Sequence, residues 1–329
     1  MNRRKMLSGI ALAGLAASLP VGKLSATTKE AGAKDSVAGG FKKLKIGDLE
    51  LFVLTDGFLQ DKSTSFAPHA DIDALKEILA ANFRSTEQVE MAMNVPLIKT
   101  KDRLILLDTG MGVFADGNTG LLLKSMRDAG FAAGQVTDVL ISHAHPDHIG
   151  GVVDPQNNLV FPNAKIFIAK AEYDFWMQAT LADFNNSALK KEPEFLKMFI
   201  PKVQNILTTI KPRLNYYDFE KPLYDTFSFQ LAPGHTPGLT LMKITSGADT
   251  LVYIADLIHS DILLFPHPEW GFSGDTDLTL AAKTRRRMLE RLTAERVLVC
   301  AYHLPWPGLG HARGKGTAFE WVPQVYMTP

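Results

Sequence analysis

The chain has 329 residues, and its 35 basic and 35 acidic side chains give a formal net charge of zero. This balance argues against the strongly basic surface with which proteins bind nucleic acids, so no nucleic-acid partner is expected. The single cysteine, Cys300, excludes an internal disulfide framework. No repeat or low-complexity linker divides residues 41–329, which we predict to form one domain.

The N-terminus has the pattern of an export signal. Basic residues at positions 3–5 precede an apolar stretch, residues 9–17, that is too short to anchor the chain in a bilayer. These features predict a signal peptide of the twin-arginine type over residues 1–33 and a disordered leader over residues 34–40. We expect a periplasmic or secreted protein without membrane contact after cleavage. An uncleaved tail on a cytoplasmic protein is the alternative.

The rest of the chain alternates between strand and helix patterns, which predicts an α/β fold. Apolar runs predict strands at residues 44–54, 97–107, 139–142, 164–169, 227–231, 251–255 and 297–301. Apolar residues at helical spacing predict helices at residues 73–82, 120–129 and 276–292. In the last helix the consecutive arginines 285–287 spread around the helix axis, so we expect a solvated face there.

Four potential metal ligands occur within six positions, directly after the predicted strand at residues 139–142. They are His143, His145, Asp147 and His148. The first two can bind one ion from a loop, and the other two can bind a second ion nearby. Imidazole and carboxylate groups in this number are typical of a site for zinc or a similar divalent cation.

Three more candidate ligands lie at or after the ends of later predicted strands. His235 lies in a turn rich in glycine and proline, and Asp256 and His303 each follow one of the last two predicted strands. Because strands of one sheet can bring their ends together, we expect these three side chains to lie beside the histidine cluster.

The order of these motifs resembles the metallo-β-lactamase superfamily. H-x-H-x-D-H, a G-H-T-P-G turn, an aspartate after a strand and a late histidine follow the superfamily's order, and the D-T-G of residues 108–110 is similar to its strand end. Residues 171–176 and 303–311 look most like the methyl parathion hydrolases, with the acyl-homoserine lactonases and aryl-ester hydrolases as neighbours. The resemblance covers residues 41–329 and implies an αββα sandwich with the metals at one edge of its two sheets.

The resemblance also implies two divalent cations per chain, with a preference for zinc. One is expected at His143, His145 and His235, the second at Asp147, His148 and His303, and Asp256 is expected to bridge both. Asp147 and Asp256 are the implied catalytic carboxylates, and Asp256 could orient a metal-bound hydroxide. For Asp108, two roles stay open: it braces a ligand histidine, or it caps its loop.

The remaining histidines show no ligand spacing. His311 resembles a position shared with the methyl parathion hydrolases and is expected to brace a loop. His259 and His267 are expected to face solvent or to have a structural role, with the substrate mouth as the alternative. His69 is expected to be exposed.

Residues 171–217 are dense in aromatic side chains and methionine. Helical spacing favours core packing for most of them, and an apolar pocket above the metals is the functional alternative. Trp176 and Phe114 look like pocket residues of the methyl parathion hydrolases, and Phe195 or Phe199 could supply a third ring. These four are the predicted substrate-pocket residues.

We therefore predict a dinuclear metal-dependent hydrolase in which a metal-bound hydroxide attacks a small, apolar, uncharged ester. The substrate is a phosphotriester such as methyl parathion, or a lactone or aryl ester. An acyl-homoserine lactonase, a β-lactamase and a glyoxalase-type thioesterase are the alternative hydrolases, and a non-catalytic metal-binding module is the alternative from another class. The resemblance also favours a homodimer.

Overall fold

A computed structural model describes residues 40–326; the predicted signal peptide and residues 34–39 of the predicted leader lie outside the described residues. The strands are β1 (Phe41–Ile46), β2 (Leu49–Lys62), β3 (Gln88–Lys99), β4 (Leu104–Leu107), β5 (Asp138–Leu140), β6 (Lys165–Ile168), β7 (Leu214–Tyr216), β8 (Phe227–Leu231), β9 (Thr240–Ser246), β10 (Asp249–Tyr253), β11 (Leu298–Cys300), β12 (Leu309–Lys315) and β13 (Ala318–Pro323). The helices are α1 (Ile72–Ala81), α2 (Leu122–Asp128), α3 (Pro146–Ile149), α4 (Lys170–Gln178), α5 (Pro193–Ile210) and α6 (Leu278–Glu295).

Within this part of the chain the strands form two sheets. One has the order β1-β2-β3-β4-β5-β6-β7, and the other has the order β13-β12-β11-β10-β9-β8. Helix α2 packs against β2 of the first sheet, and α6 packs against β12 of the second. One apolar core joins buried residues of both sheets, such as Leu51, Leu97, Leu251 and Val299. The predicted αββα sandwich is confirmed. No helix in residues 40–326 is long and apolar enough to cross a membrane.

Two of the predicted strands are wrong because each contains a turn. Residues 44–54 include a turn at Gly47, whose φ is +55°. A Cβ atom there would lie 2.4 Å from the carbonyl oxygen of Ser246, so glycine is required on both counts. Residues 97–107 likewise contain the end of β3, a short turn and β4. In both cases apolar residues on either side of the turn have the pattern of one run.

Parallel pairing positions the candidate site. β4, β5 and β6 pair in parallel in the first sheet, and β10 and β11 pair in parallel in the second. The carboxyl ends of parallel strands meet at one edge of a sheet, where α/β proteins commonly bind ligands. Asp108 follows β4, His143 follows β5, and Asp256 and His303 follow β10 and β11. The topology therefore collects residues from distant parts of the sequence.

Candidate metal centre

The histidine cluster begins in the loop after β5 and ends in the helical turn α3. Pro146 is the first helical residue, a position at which proline's missing N–H would have no helical partner. The N–H groups of His148 and Ile149 both donate to the carbonyl oxygen of His145 at 3.0 Å. The backbone therefore changes direction after His145, which separates the first two candidate ligands of the motif from the last two.

The structure brings the seven predicted ligands together in two groups. The His143 group contains His143, His145, His235 and Asp256, and the His148 group contains Asp147, His148, Asp256 and His303. Within each group the candidate ligand atoms lie within 4.8 Å of one another, and Asp256 belongs to both. All seven residues are buried, and the most exposed, His145 and Asp147, are each 8% exposed. This grouping matches the division implied by the family resemblance.

Several polar atoms inside the centre have no protein partner. His145 Nε2, His148 Nε2 and Asp256 Oδ1 are buried without a hydrogen bond in the described part of the chain. The last two atoms are 2.9 Å apart but lack the geometry of a hydrogen bond. Buried polar atoms normally have a partner, so these converging atoms fit divalent cations, and the imidazole and carboxylate donors fit zinc.

The charges of the centre favour cation binding. Burial and neighbouring imidazoles hold the pKa of His143 and of His145 well below the usual value, which leaves their lone pairs free. Burial alone would lower the pKa of His148 and His303, but the Asp256 carboxylate raises the first well above its usual value and the second to about 9. Cations that bind here displace these protons, so cation affinity falls as the pH falls.

Asp108 braces His148. Its carboxylate accepts hydrogen bonds from Ser142 N at 2.7 Å, Ser142 Oγ at 2.6 Å, the Tyr253 hydroxyl at 2.5 Å and His148 Nδ1 at 2.9 Å. Asp108, Ser142, His148 and Tyr253 are all buried, and Asp108 adopts a φ of +63°. Of the two roles left open by the sequence, the structure shows the first: Asp108 fixes the imidazole so that Nε2 faces the centre.

His235 is held by a second carboxylate that the sequence did not identify. Its Nδ1 lies 2.9 Å from Asp275 Oδ1, and Asp275 Oδ2 accepts a hydrogen bond from Arg285 Nη2 at 3.0 Å. Arg285 also donates to the carbonyl oxygens of Leu257 and Pro268. The chain of contacts from Arg285 to His235 therefore ties α6 to the His143 group.

The predicted solvated face at residues 285–287 is wrong for Arg285, which is 1% exposed. Arg286 and Arg287 are exposed, as expected. The signal that could have identified Arg285 is its place on the buried stripe of α6, which also includes Ala281, Met288, Leu289 and Leu292. An arginine at such a position needs buried acceptors, and here three are present.

His259 lines the centre rather than facing solvent. It is buried, its Nε2 lies 3.1 Å from Asp256 Oδ2, and its ring stacks on Phe272 with 3.8 Å between centroids. The other histidines are remote from the two groups. His69 is exposed, His267 stacks on Trp270, and His311 donates from Nδ1 to the carbonyl oxygen of Val297.

The four predicted pocket residues lie in different places. The rings of Trp176 and Phe199 are buried beside the centre, 5.8 and 5.9 Å from the His145 ring. Phe195 stacks on Phe199 at 5.3 Å and is 41% exposed, so these three rings form an apolar wall from His145 to the surface. Phe114 instead lines a separate cleft of about 450 Å³, which none of the seven predicted ligands lines.

Comparisons of sequence identify relatives of this chain. The family model described as the metallo-beta-lactamase superfamily matches residues 92–303. An N-acyl homoserine lactonase of a Bacillus species is 26% identical over 231 residues, which are 63% of this chain and 79% of that protein. An N-acyl homoserine lactonase of Bacillus thuringiensis is 26% identical over 239 residues, which are 64% of this chain and 82% of that protein.

Two solved structures resemble this fold over most of its length. AidC, described as a dizinc quorum-quenching lactonase in complex with a product, N-hexanoyl-L-homoserine, is 57% identical with a TM-score of 0.87; the match covers 88% of this chain and 99% of that one. AbOPH, described as a hydrolase in the beta-lactamase superfamily, is 24% identical with a TM-score of 0.80; the match covers 89% of this chain and 99% of that one. The second likeness concerns the fold alone.

Proposed function

This chain belongs to the metallo-β-lactamase superfamily and is a metal-dependent hydrolase, and we propose that it hydrolyses lactones, with N-acyl homoserine lactones as its substrate class. The observation that carries the proposal is the 57% identity to AidC over 99% of that chain. The acyl-homoserine lactonase that the sequence left as an alternative is thereby supported. The phosphotriester substrate that led the sequence-based prediction has no such support.

We propose one zinc ion in the His143 group and one in the His148 group, with Asp256 shared. The AidC structure is described as dizinc, and the donor atoms described above fit that metal. Two such cations, when bound, lower the pKa of a water molecule and stabilise negative charge on a substrate oxygen. The carboxylates of Asp147 and Asp256 offset two of the four positive charges, so the centre keeps the positive charge that an oxyanion requires.

Asp147 is the proposed proton carrier of the reaction. Ring opening joins a water oxygen to the lactone carbonyl carbon and breaks the bond from that carbon to the ring oxygen, which leaves a hydroxy acid. One proton leaves the water and one reaches the ring oxygen. The Asp147 side chain is 11% exposed, against 2% for Asp256, and its Oδ2 lies 3.2 Å from His303 Nε2. It is therefore the acidic side chain of the two that a substrate can reach more readily.

The apolar wall of Trp176, Phe199 and Phe195 is the proposed site for the acyl chain. It begins at His145 and reaches the surface along α5, where Met198 is also exposed. Burial of each CH₂ group on such a wall contributes about 0.8 kcal/mol to the free energy of binding. We therefore expect the affinity of the protein for its substrate to rise with the length of the acyl chain. The metal centre would bind the polar lactone ring, and the apolar wall would bind the chain.

A comparison of substrates tests this proposal. The zinc-loaded protein is assayed with N-hexanoyl-L-homoserine lactone, an aryl acetate and methyl parathion, each with a chelator-treated control. We expect the lactone to have the highest kcat/KM, by about 100-fold or more over methyl parathion, because the two transition states differ in shape: attack on the lactone gives a tetrahedral carbon, and attack on the phosphotriester gives a five-coordinate phosphorus. A higher kcat/KM for methyl parathion would contradict the lactonase proposal and support the phosphotriester substrate predicted from the sequence.

A further inference from the structure

Glu172, in the first turn of α4, is a fully buried acidic residue that has no part in the proposed reaction. It lies outside both candidate metal groups. All the donors to its carboxylate that are described below are neutral groups. A buried carboxylate without a cationic partner is costly, so its surroundings require an explanation.

The Glu172 carboxylate joins the two loops that carry the histidines of the His143 group. Its Oε1 accepts a hydrogen bond from Ala144 N at 2.9 Å, and its Oε2 accepts one from Gly238 N at 2.8 Å. Ala144 lies between His143 and His145, and Gly238 follows His235 by three residues. One side chain therefore fixes the separation of the two loops at the point where His143 Nε2 and His235 Nε2 are 3.2 Å apart.

The same carboxylate also holds a ring of the apolar wall. Glu172 Oε1 accepts a second hydrogen bond from Trp176 Nε1 at 2.7 Å, one turn later in α4. Since the Trp176 ring lies 5.8 Å from the His145 ring, Glu172 connects the proposed acyl site to the His143 group.

Close packing fixes the distance between Glu172 and Gly238. A Cβ atom at Gly238 would lie 2.4 Å from both the Cβ and the backbone nitrogen of Glu172. Gly238, the last residue of the G-H-T-P-G turn, must therefore be glycine for α4 to approach the loop closely enough for the hydrogen bond to Oε2. Burial raises the pKa of Glu172, while the hydrogen bonds from Ala144, Trp176 and Gly238 oppose that rise.

We propose that Glu172 is a positioning residue that sets the spacing of His143, His145 and His235 for one divalent cation and orients Trp176 beside it. This inference rests on the proposed two-cation centre but is independent of the substrate. It predicts an effect on one of the two cations only, because the hydrogen bonds of Glu172 described above reach the loops of the His143 group.

The Glu172→Gln variant tests the proposal through zinc affinity, measured by competition with a chromophoric chelator. The amide is nearly the same size but has one acceptor oxygen, so its NH₂ group must face a donor on one of the two loops. We expect one of the two zinc equivalents to bind about 10–100-fold more weakly while the other is unchanged. Glu77→Gln, an exposed glutamate of α1, is the matched control.

Two further variants make the outcome decisive. Glu172→Asp keeps the buried charge but is too short to reach both loops, so it should give the same selective loss if the glutamine variant folds poorly. His145→Ala removes a ligand of the His143 group alone and identifies which binding step belongs to it. Two unchanged steps, or two steps weakened equally, overturn the proposal. Fewer than two zinc ions on the unmodified protein would instead contradict the proposed function.

Discussion

Replacing Asp256 with alanine is expected to lower kcat/KM for lactone hydrolysis by about 10³-fold or more, since both cations depend on this residue for several kcal/mol of charge stabilisation. Asp256 Oδ1 lies 2.9 Å from His148 Nε2, and Oδ2 lies 3.2 Å from the Nε2 atoms of His235 and His303. The substitution removes a ligand from both groups at once and leaves the His143 group with imidazoles alone.

The measurement is steady-state turnover together with zinc content per chain. Asp102→Ala, an exposed aspartate in the turn between β3 and β4, is the control and should behave as the unmodified protein. A variant that retains two zinc ions and more than a tenth of the turnover would show that Asp256 is not the shared ligand. A non-catalytic metal-binding protein would have no turnover to lose.

Replacing Asp108 with alanine is expected to lower the free energy of unfolding of the zinc-free protein by roughly 3–5 kcal/mol. The carboxylate is the acceptor for two groups of Ser142, for Tyr253 and for His148, and each of these donors is buried. Without it they lose their partner and cannot reach water. The backbone at +63° adds strain, because alanine adopts this region less readily than aspartate.

Chemical denaturation with urea measures the loss, with Asp102→Ala again as the control. Asp108→Asn tolerates the same backbone angle and keeps one acceptor oxygen, so it should lose less stability than the alanine variant. Both variants should also bind zinc more weakly in the His148 group, since His148 is no longer oriented. If the free energy of unfolding of the Asp108→Ala variant lay within about 1 kcal/mol of that of the unmodified protein, this would contradict the bracing role.

The candidate ligands could be predicted because the information is local. H-x-H-x-D-H is a short motif, and Asp256 and His303 each follow a recognisable apolar run. Parallel pairing of β10 and β11 then places Asp256 and His303 at the same edge of the second sheet. The hairpin turns within residues 44–54 and 97–107 are harder to predict, because a few polar residues between two apolar strands barely interrupt the apolar pattern of the sequence.

The residues that support the centre could not be predicted because their partners are distant. Glu172 is 28 residues from Ala144 and 66 from Gly238, so no local pattern links it to the two loops that it joins. Arg285 lies on the buried stripe of α6, which signals its burial, but that stripe does not reveal its contact with Asp275. Such roles depend on which helix or loop packs against the residue in the folded protein, and the local sequence does not specify this.

The choice of substrate is also weakly encoded in the ligand motif. Phosphotriesters and lactones both place negative charge near the cations, so the seven ligands suit either. Phe114, assigned to the pocket by family likeness, lies instead in another cleft, whereas Trp176 and Phe199 lie beside His145. Export and the homodimer stay predictions of the sequence.

Return of zinc to the chelated protein, followed by lactone turnover at each addition, tests the two-cation hydrolase most directly. The structure predicts no turnover without metal and a rise that ends at two equivalents of zinc per chain. Full turnover at one equivalent would contradict the shared centre, and turnover that survives chelation would contradict metal-dependent hydrolysis.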